Sequence, residues 1–180
     1  MTDKTQNAAA PRILICEDEV LLADDVAVTL RDLGYRIAGI VVTGEEAISA
    51  SQALKPDLIL MDIKLRGEIN GIEAVEKINA CMDVPVVFLL AYAEKDILER
   101  ANRTEPYGYL SKPVGMAELR STIELALYKH KADKRVTESE ERLRSILDGL
   151  HDLVFVLDKE GLFADLLHGN AITCTVNVHE

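Results

Sequence analysis

The sequence predicts an α/β fold: a doubly wound, five-stranded parallel sheet with helices on both faces. Three observations predict it. Apolar runs without polar alternation, of the kind a doubly covered strand needs, recur between breakers at 12–16, 58–61 and 85–90. Amphipathic helical patterns separate the strand-like runs at short spacing, which is the rhythm of βαβ units. The chain has 180 residues, 48% of them hydrophobic and 28% charged, which suits one well-buried domain plus an appendage.

After a polar leader (1–10), expected to be disordered, "RILIC" reads as the first strand. A helix follows with Leu22, Val26, Leu30 and Leu33 on one stripe, and Gly34 stops it. "YRIAGIVVT" (35–43) is strand-like, 44–55 is helical, and Pro56 ends that helix. The strand at 58–61 leads into a polar loop and a helix from Gly71 to about Cys81. "PVVFLL" is the fourth strand, 94–102 a helix, and "YGYL" (107–110) a short fifth strand. A last helical pattern begins near Met116.

Bulk properties exclude several functions. A formal charge of −11 disfavours nonspecific binding to nucleic acid or to an anionic membrane. Cys16, Cys81 and Cys174 stand singly with no metal or redox spacing, which fits a reducing compartment. "MTDKTQNAAAP" has no apolar signal core and no run approaches a membrane span, so a cytoplasmic protein is expected. Neither GxGxxG nor GxxxxGK[ST] occurs.

In such sheets ligands sit beyond the carboxyl ends of the strands. The first strand delivers Glu17, Asp18 and Glu19 there, the third delivers Asp62, and the fifth leads to Lys112 and Pro113. Asp18 alone could be a helix N-cap. That reading does not cover a lysine and several carboxylates converging on one edge. If the first and third strands are neighbours, Asp18 and Asp62 repel when both ionise, and Mg²⁺ with its preference for carboxylate oxygen relieves this. Mg²⁺ and Lys112 together offset the charge of Glu17, Asp18 and Asp62 and leave room for an anion. The arrangement best serves a pocket that receives a phosphoryl group on Asp62.

These residues resemble the receiver domain of two-component response regulators over residues 11 to about 130. The resemblance rests on Glu17-Asp18, Asp62, Lys112-Pro113 and an aromatic, Tyr109, three residues before the lysine. It implies a flavodoxin-like strand order 2-1-3-4-5 and transfer of a phosphoryl group from a sensor histidine kinase to Asp62. It also implies Mg²⁺ held by Asp18, Asp62, Glu17 through water and the carbonyl of Lys64, with Lys112 pairing the phosphoryl oxygens and a cis Lys112–Pro113 peptide. The protein would be a phosphoacceptor open to autodephosphorylation, not a dedicated enzyme. Tyr109 would be the switch aromatic. One position departs from the pattern: the family's Ser or Thr after the fourth strand is Leu90 here. The alternative is therefore an unswitched protein-interaction module. A haloacid-dehalogenase-type phosphatase would want a second Asp at the position of Lys64.

The helical pattern from Met116 continues to about Leu150. Residues 131–150 are read as a helical linker. A heptad reading puts Leu119, Ala126, Val136, Leu143, Leu147 and Leu150 on a seam interrupted by Thr122, Lys129, Asp133 and Glu140. Both a dimerising helix and a solvated connector fit, so a homodimer through this helix or through the receiver face is one expectation. Residues 139–163 resemble the opening of a PAS sensory domain, with a helix, the strand "LVFVL" and an Asp-Lys-Glu-Gly turn. Too few residues follow to complete one, so 151–180 are read as a truncated or remnant PAS-like segment. The alternation Ile172, Cys174, Val176, Val178 suggests an edge strand.

Overall fold

The computed structural model describes residues 10–91, 98–149, 154–157 and 163–167. The elements in chain order are β1 (Arg12–Cys16), α1 (Val20–Asp32), β2 (Arg36–Val41), α2 (Gly44–Leu54), β3 (Leu58–Asp62), α3 (Gly71–Asn79) and β4 (Val86–Leu90). They continue with α4 (Leu98–Asn102), β5 (Gly108–Ser111), α5 (Met116–Gly149), β6 (Val154–Leu157) and β7 (Phe163–Leu167). The first five strands form one parallel sheet in the order β2-β1-β3-β4-β5, as the sequence predicts.

The lack of alternation in the central strands has a direct cause. Every residue of β3 and β4 is buried, because successive side chains enter two separate cores. Ile59, Met61, Phe88 and Leu90 pack with Ala47 of α2, Ile72 and Val75 of α3 and Ala101 of α4. Leu58, Leu60, Val87 and Leu89 pack with Val26 and Leu30 of α1 and Leu119 and Ile123 of α5. Two helical layers therefore clamp the sheet, and its carboxyl edge is held rigidly on both sides.

Local signals end the helices where the sequence places the breaks. Gly34 takes a φ of +88° after α1, and Lys55 closes α2 in the left-handed region before Pro56. Asn70 caps α3, accepting from the amides of Ile72 and Glu73, while Glu73 returns to the Asn70 amide. Near the middle of α5, His130 meets Asp83 at 2.8 Å and stands edge-on to Tyr107.

The heptad reading of α5 needs correction. Leu119 and Ala126 are fully buried in their own domain's core, so neither belongs to a seam between chains. The apolar spacing there reports packing on the sheet. Val136 and Leu143, further along, are exposed. The side chain of Leu147, and Leu150 altogether, lie outside the described residues, as does the 172–178 strand expectation. The chain divides into two compact units after Lys131. In the second, β6 and β7 pair as antiparallel strands; the sequence predicts β6 from "LVFVL" and gives no signal for β7. No helix among the described residues is long and apolar enough to cross a membrane.

Candidate functional site

The site forms where β1, β3 and β5 end. β1 and β3 are hydrogen-bonded neighbours with Cys16 opposite Met61, so the residues that follow each strand meet. The Glu17 amide donates to the Val41 carbonyl at 3.0 Å and extends the β1–β2 ladder by one residue. The N-cap position of α1 belongs to Glu19, whose side chain makes no capping hydrogen bond. The capping alternative for Asp18 is therefore wrong, and its carboxylate is left to the pocket. Carboxylate oxygens of Glu17, Asp18 and Asp62 lie within 4.8 Å of one another.

Asp62 is the last residue of β3 and is buried. Its Oδ1 accepts from the Lys64 amide at 3.2 Å, which turns the chain sharply after the strand. Gly71 presses on the other side: a Cβ there would strike the Asp62 carbonyl oxygen. Only glycine lets the start of α3 approach the acceptor strand this closely. From β5, the Lys112 amide donates to the Leu90 carbonyl at 2.8 Å, and the Lys112–Pro113 peptide is cis. The Lys112 ammonium thus reaches Asp62 Oδ2 and Glu17 Oε2, each at 2.7 Å.

The electrostatics follow from this packing. Glu17 is 1% exposed, and burial pushes its carboxyl up to about 7, with Asp62 adding to the rise and Lys112 opposing it. Its Oε2 has the ammonium beside it, yet no neighbour meets that oxygen in hydrogen-bond geometry. For Lys112, burial pulls the ammonium down, but the two carboxylates outweigh burial and leave it raised. Arg66 also approaches, with Nε 3.5 Å from Asp18 Oδ2 across an exposed edge. Three clustered hard oxygen donors, carrying more negative charge than Lys112 and Arg66 cancel, suit a divalent ion such as Mg²⁺. The Lys64 residue sits in the same turn through its amide.

The structure brings Glu17, Asp18, Asp62, Lys64 and Lys112 together. Leu90 directly follows Leu89, the strand partner of Asp62, and neither Leu90 nor Tyr109 supplies a group to the acidic cluster. Leu90 is buried in the core that faces α3, and Tyr109 stacks on Phe88 with ring centroids 6.1 Å apart while its hydroxyl donates to Asn102 of α4 at 2.7 Å. Sequence reading missed Arg66, Gly71 and Glu45, which binds the loop carrying Arg66. Gly71 was legible only as a helix start. Arg66 and Glu45 act across long sequence separations and leave no periodic signal.

The family model for the response regulator receiver domain matches residues 13–124. The chain is 35% identical over 157 residues to the transcriptional regulatory protein PdtaR of Mycobacterium tuberculosis, covering 87% of this chain and 75% of that one. Among solved structures it resembles the signal receiver domain of a modulated diguanylate cyclase from Desulfovibrio desulfuricans. That match has TM-score 0.66 and 36% identity, over 69% of this chain and 98% of that one. It also resembles the N-terminal domain of a response regulator/sensory box/GGDEF three-domain protein from Carboxydothermus hydrogenoformans. There the TM-score is 0.63 and the identity 36%, over 68% of this chain and 98% of that one.

Proposed function

The chain belongs to the response regulator receiver family, and from that premise we propose that Asp62 accepts a phosphoryl group from a phosphohistidine on a sensor histidine kinase. The observation that carries the proposal is the Lys112 ammonium placed 2.7 Å from both Asp62 and Glu17 at the end of the sheet, with Asp18 in the same cluster.

The Asp62 carboxylate is the nucleophile: one of its oxygens forms the new P–O bond as the P–N bond breaks and its electron pair stays on the donor imidazole. Burial in a rigid strand end fixes its direction of attack, and the Lys64 amide orients the carboxylate. Lys112 stabilises negative charge on the phosphoryl oxygens. Asp18, Asp62, Glu17 and the Lys64 carbonyl would hold Mg²⁺, which neutralises charge on the incoming group when bound. The protein is then a phosphoacceptor and not a dedicated enzyme, working in the cytoplasm and signalling through protein contacts. Its exposed Val136 and Leu143 suit a homodimer through α5, and the β6–β7 pair fits the opening of a PAS-like segment.

Incubation with Mg²⁺ and acetyl phosphate followed by intact-mass measurement tests the acceptor. A gain of one phosphoryl group in wild type and none in Asp62→Asn is expected. Undiminished labelling of Asp62→Asn would place the nucleophile elsewhere. A second reading, an unswitched interaction module, draws on Leu90: a buried aliphatic side chain there offers no hydroxyl to a phosphoryl oxygen. Under that reading the chain binds its partner identically with and without the label.

A further inference from the structure

Two side chains other than Glu45 already cap the entrance of α2. Thr43 accepts from the Glu46 amide at 3.1 Å, and the Glu46 carboxylate turns back to the Val42 amide at 3.1 Å. Glu45, between them, bonds its own first-turn amide and also reaches out to a distant loop. Its Oε1 accepts from the backbone amides of Glu68 at 3.1 Å and Ile69 at 3.2 Å, more than twenty residues along the chain. Its own amide and those two hold its carboxyl below the usual carboxylate range.

The loop is shaped to receive it. Gly67 takes a φ of +99°, and a Cβ there would lie 2.5 Å from Glu45 Oε2. A Cβ on Gly44 would strike the Ile69 carbonyl oxygen. On the same side of the loop, the Arg66 amide donates to the Val42 carbonyl at 3.2 Å and Arg66 forms a bridge with Thr43. Residues 66, 68 and 69 are therefore tied to the entrance of α2. The short stretch from there back to Asp62 contains Lys64, whose amide bonds Asp62, and Arg66 itself, whose guanidinium approaches Asp18.

We propose that Glu45 is a positioning residue for the acceptor site: its carboxylate fixes the 64–70 loop so that Lys64 and Arg66 are held at the acidic cluster. Glu45 is not one of the clustered carboxylates and acts only through the loop it binds. The inference rests on the phosphoacceptor reading, because the cluster it serves is the one that reading assigns to Mg²⁺ and the phosphoryl group. Its physical content is reach and acceptor geometry. A carboxylate in the first turn of a helix could instead matter only through its charge on the helix dipole. Two substitutions separate these. Glu45→Gln keeps the reach and an acceptor oxygen but loses the charge. Glu45→Asp keeps the charge and falls one methylene short.

The test uses the full chain and two readouts. The chain has no tryptophan, so Mg²⁺ binding is followed by amide NMR titration. Glu45→Asp should bind Mg²⁺ about tenfold more weakly than wild type, the lower end of what loss of an outer support of a metal site costs. Glu45→Gln should bind as wild type does. In parallel, hydrogen exchange at the Glu68 and Ile69 amides should quicken in Glu45→Asp and not in Glu45→Gln. Weakened Mg²⁺ binding in Glu45→Gln, or no weakening in Glu45→Asp, overturns the proposal. Unchanged exchange in Glu45→Asp overturns it too, independently of the metal. A wild-type chain that binds no Mg²⁺ and takes no label from acetyl phosphate would instead sink the phosphoacceptor reading, while the exchange readout still decides whether Glu45 holds the loop.

Discussion

Replacing Lys112 with Met removes the ammonium that touches both Glu17 and Asp62 and leaves two buried carboxylates without it. Deleting one member of a buried ion pair costs about 3–5 kcal/mol, because the remaining charge is uncompensated. Glu17 has an escape, since its carboxyl titrates at about 7 even with Lys112 present and a proton can replace the lost cation. At pH 8 that uptake costs about 1.4 kcal/mol for each unit between pKa and pH, so a loss of about 3 kcal/mol is expected. At pH 6 Glu17 is already protonated in the wild type. Only the contact with Asp62 is then lost, and the effect should fall to about 1.5 kcal/mol, one hydrogen bond to a charged group. Lys112 stays charged throughout this window, its own pKa being raised, so the pH dependence belongs to Glu17. The wild type supplies the reference slope. Glu17 titrates near 4.5 when unfolded and about 7 when folded, so folding takes up a proton between those values. In the metal-free wild type Glu17 therefore contributes a loss of stability as the pH rises through that window, and Glu17→Gln should remove that part of the slope. Urea unfolding followed by far-UV circular dichroism in EDTA, at pH 6 and pH 8, measures all three chains. Equal losses for Lys112→Met at both pH values, or no loss at pH 8, would refute the reasoning. Added Mg²⁺ should recover part of the loss by binding only the folded state.

Leu90→Thr should cost about 2 kcal/mol of core packing. It should also enlarge the NMR response of Tyr109 to beryllofluoride, a phosphoryl mimic, relative to wild type; no enlargement would favour the unswitched module. Gly71→Ala should destabilise the chain by about 1–3 kcal/mol through the collision with the Asp62 carbonyl, read by the same urea unfolding. A chain ending at Lys131 loses the exposed Val136 and Leu143 and should be monomeric by light scattering where the full chain is a dimer. Persistence of the dimer would move the interface to the face of α4, β5 and α5.

By itself the sequence determined the five strands, the parallel sheet and the carboxyl edge where Glu17, Asp18, Asp62 and Lys112 gather. The reason is local: a strand buried on both faces must be apolar at every position, and a carboxylate at its end then stands out within a few residues. Only the tertiary structure decided what depends on direction and distance. The same helical spacing in α5 serves a core at Leu119 and Ala126 and faces solvent at Val136 and Leu143, because periodicity marks a stripe without saying what covers it. Burial, invisible in a string of letters, raises Glu17. Glu45 reads as an ordinary first-turn acid until the fold brings a loop from beyond β3 against it, since a hydrogen bond between residues that far apart imposes no pattern on either segment.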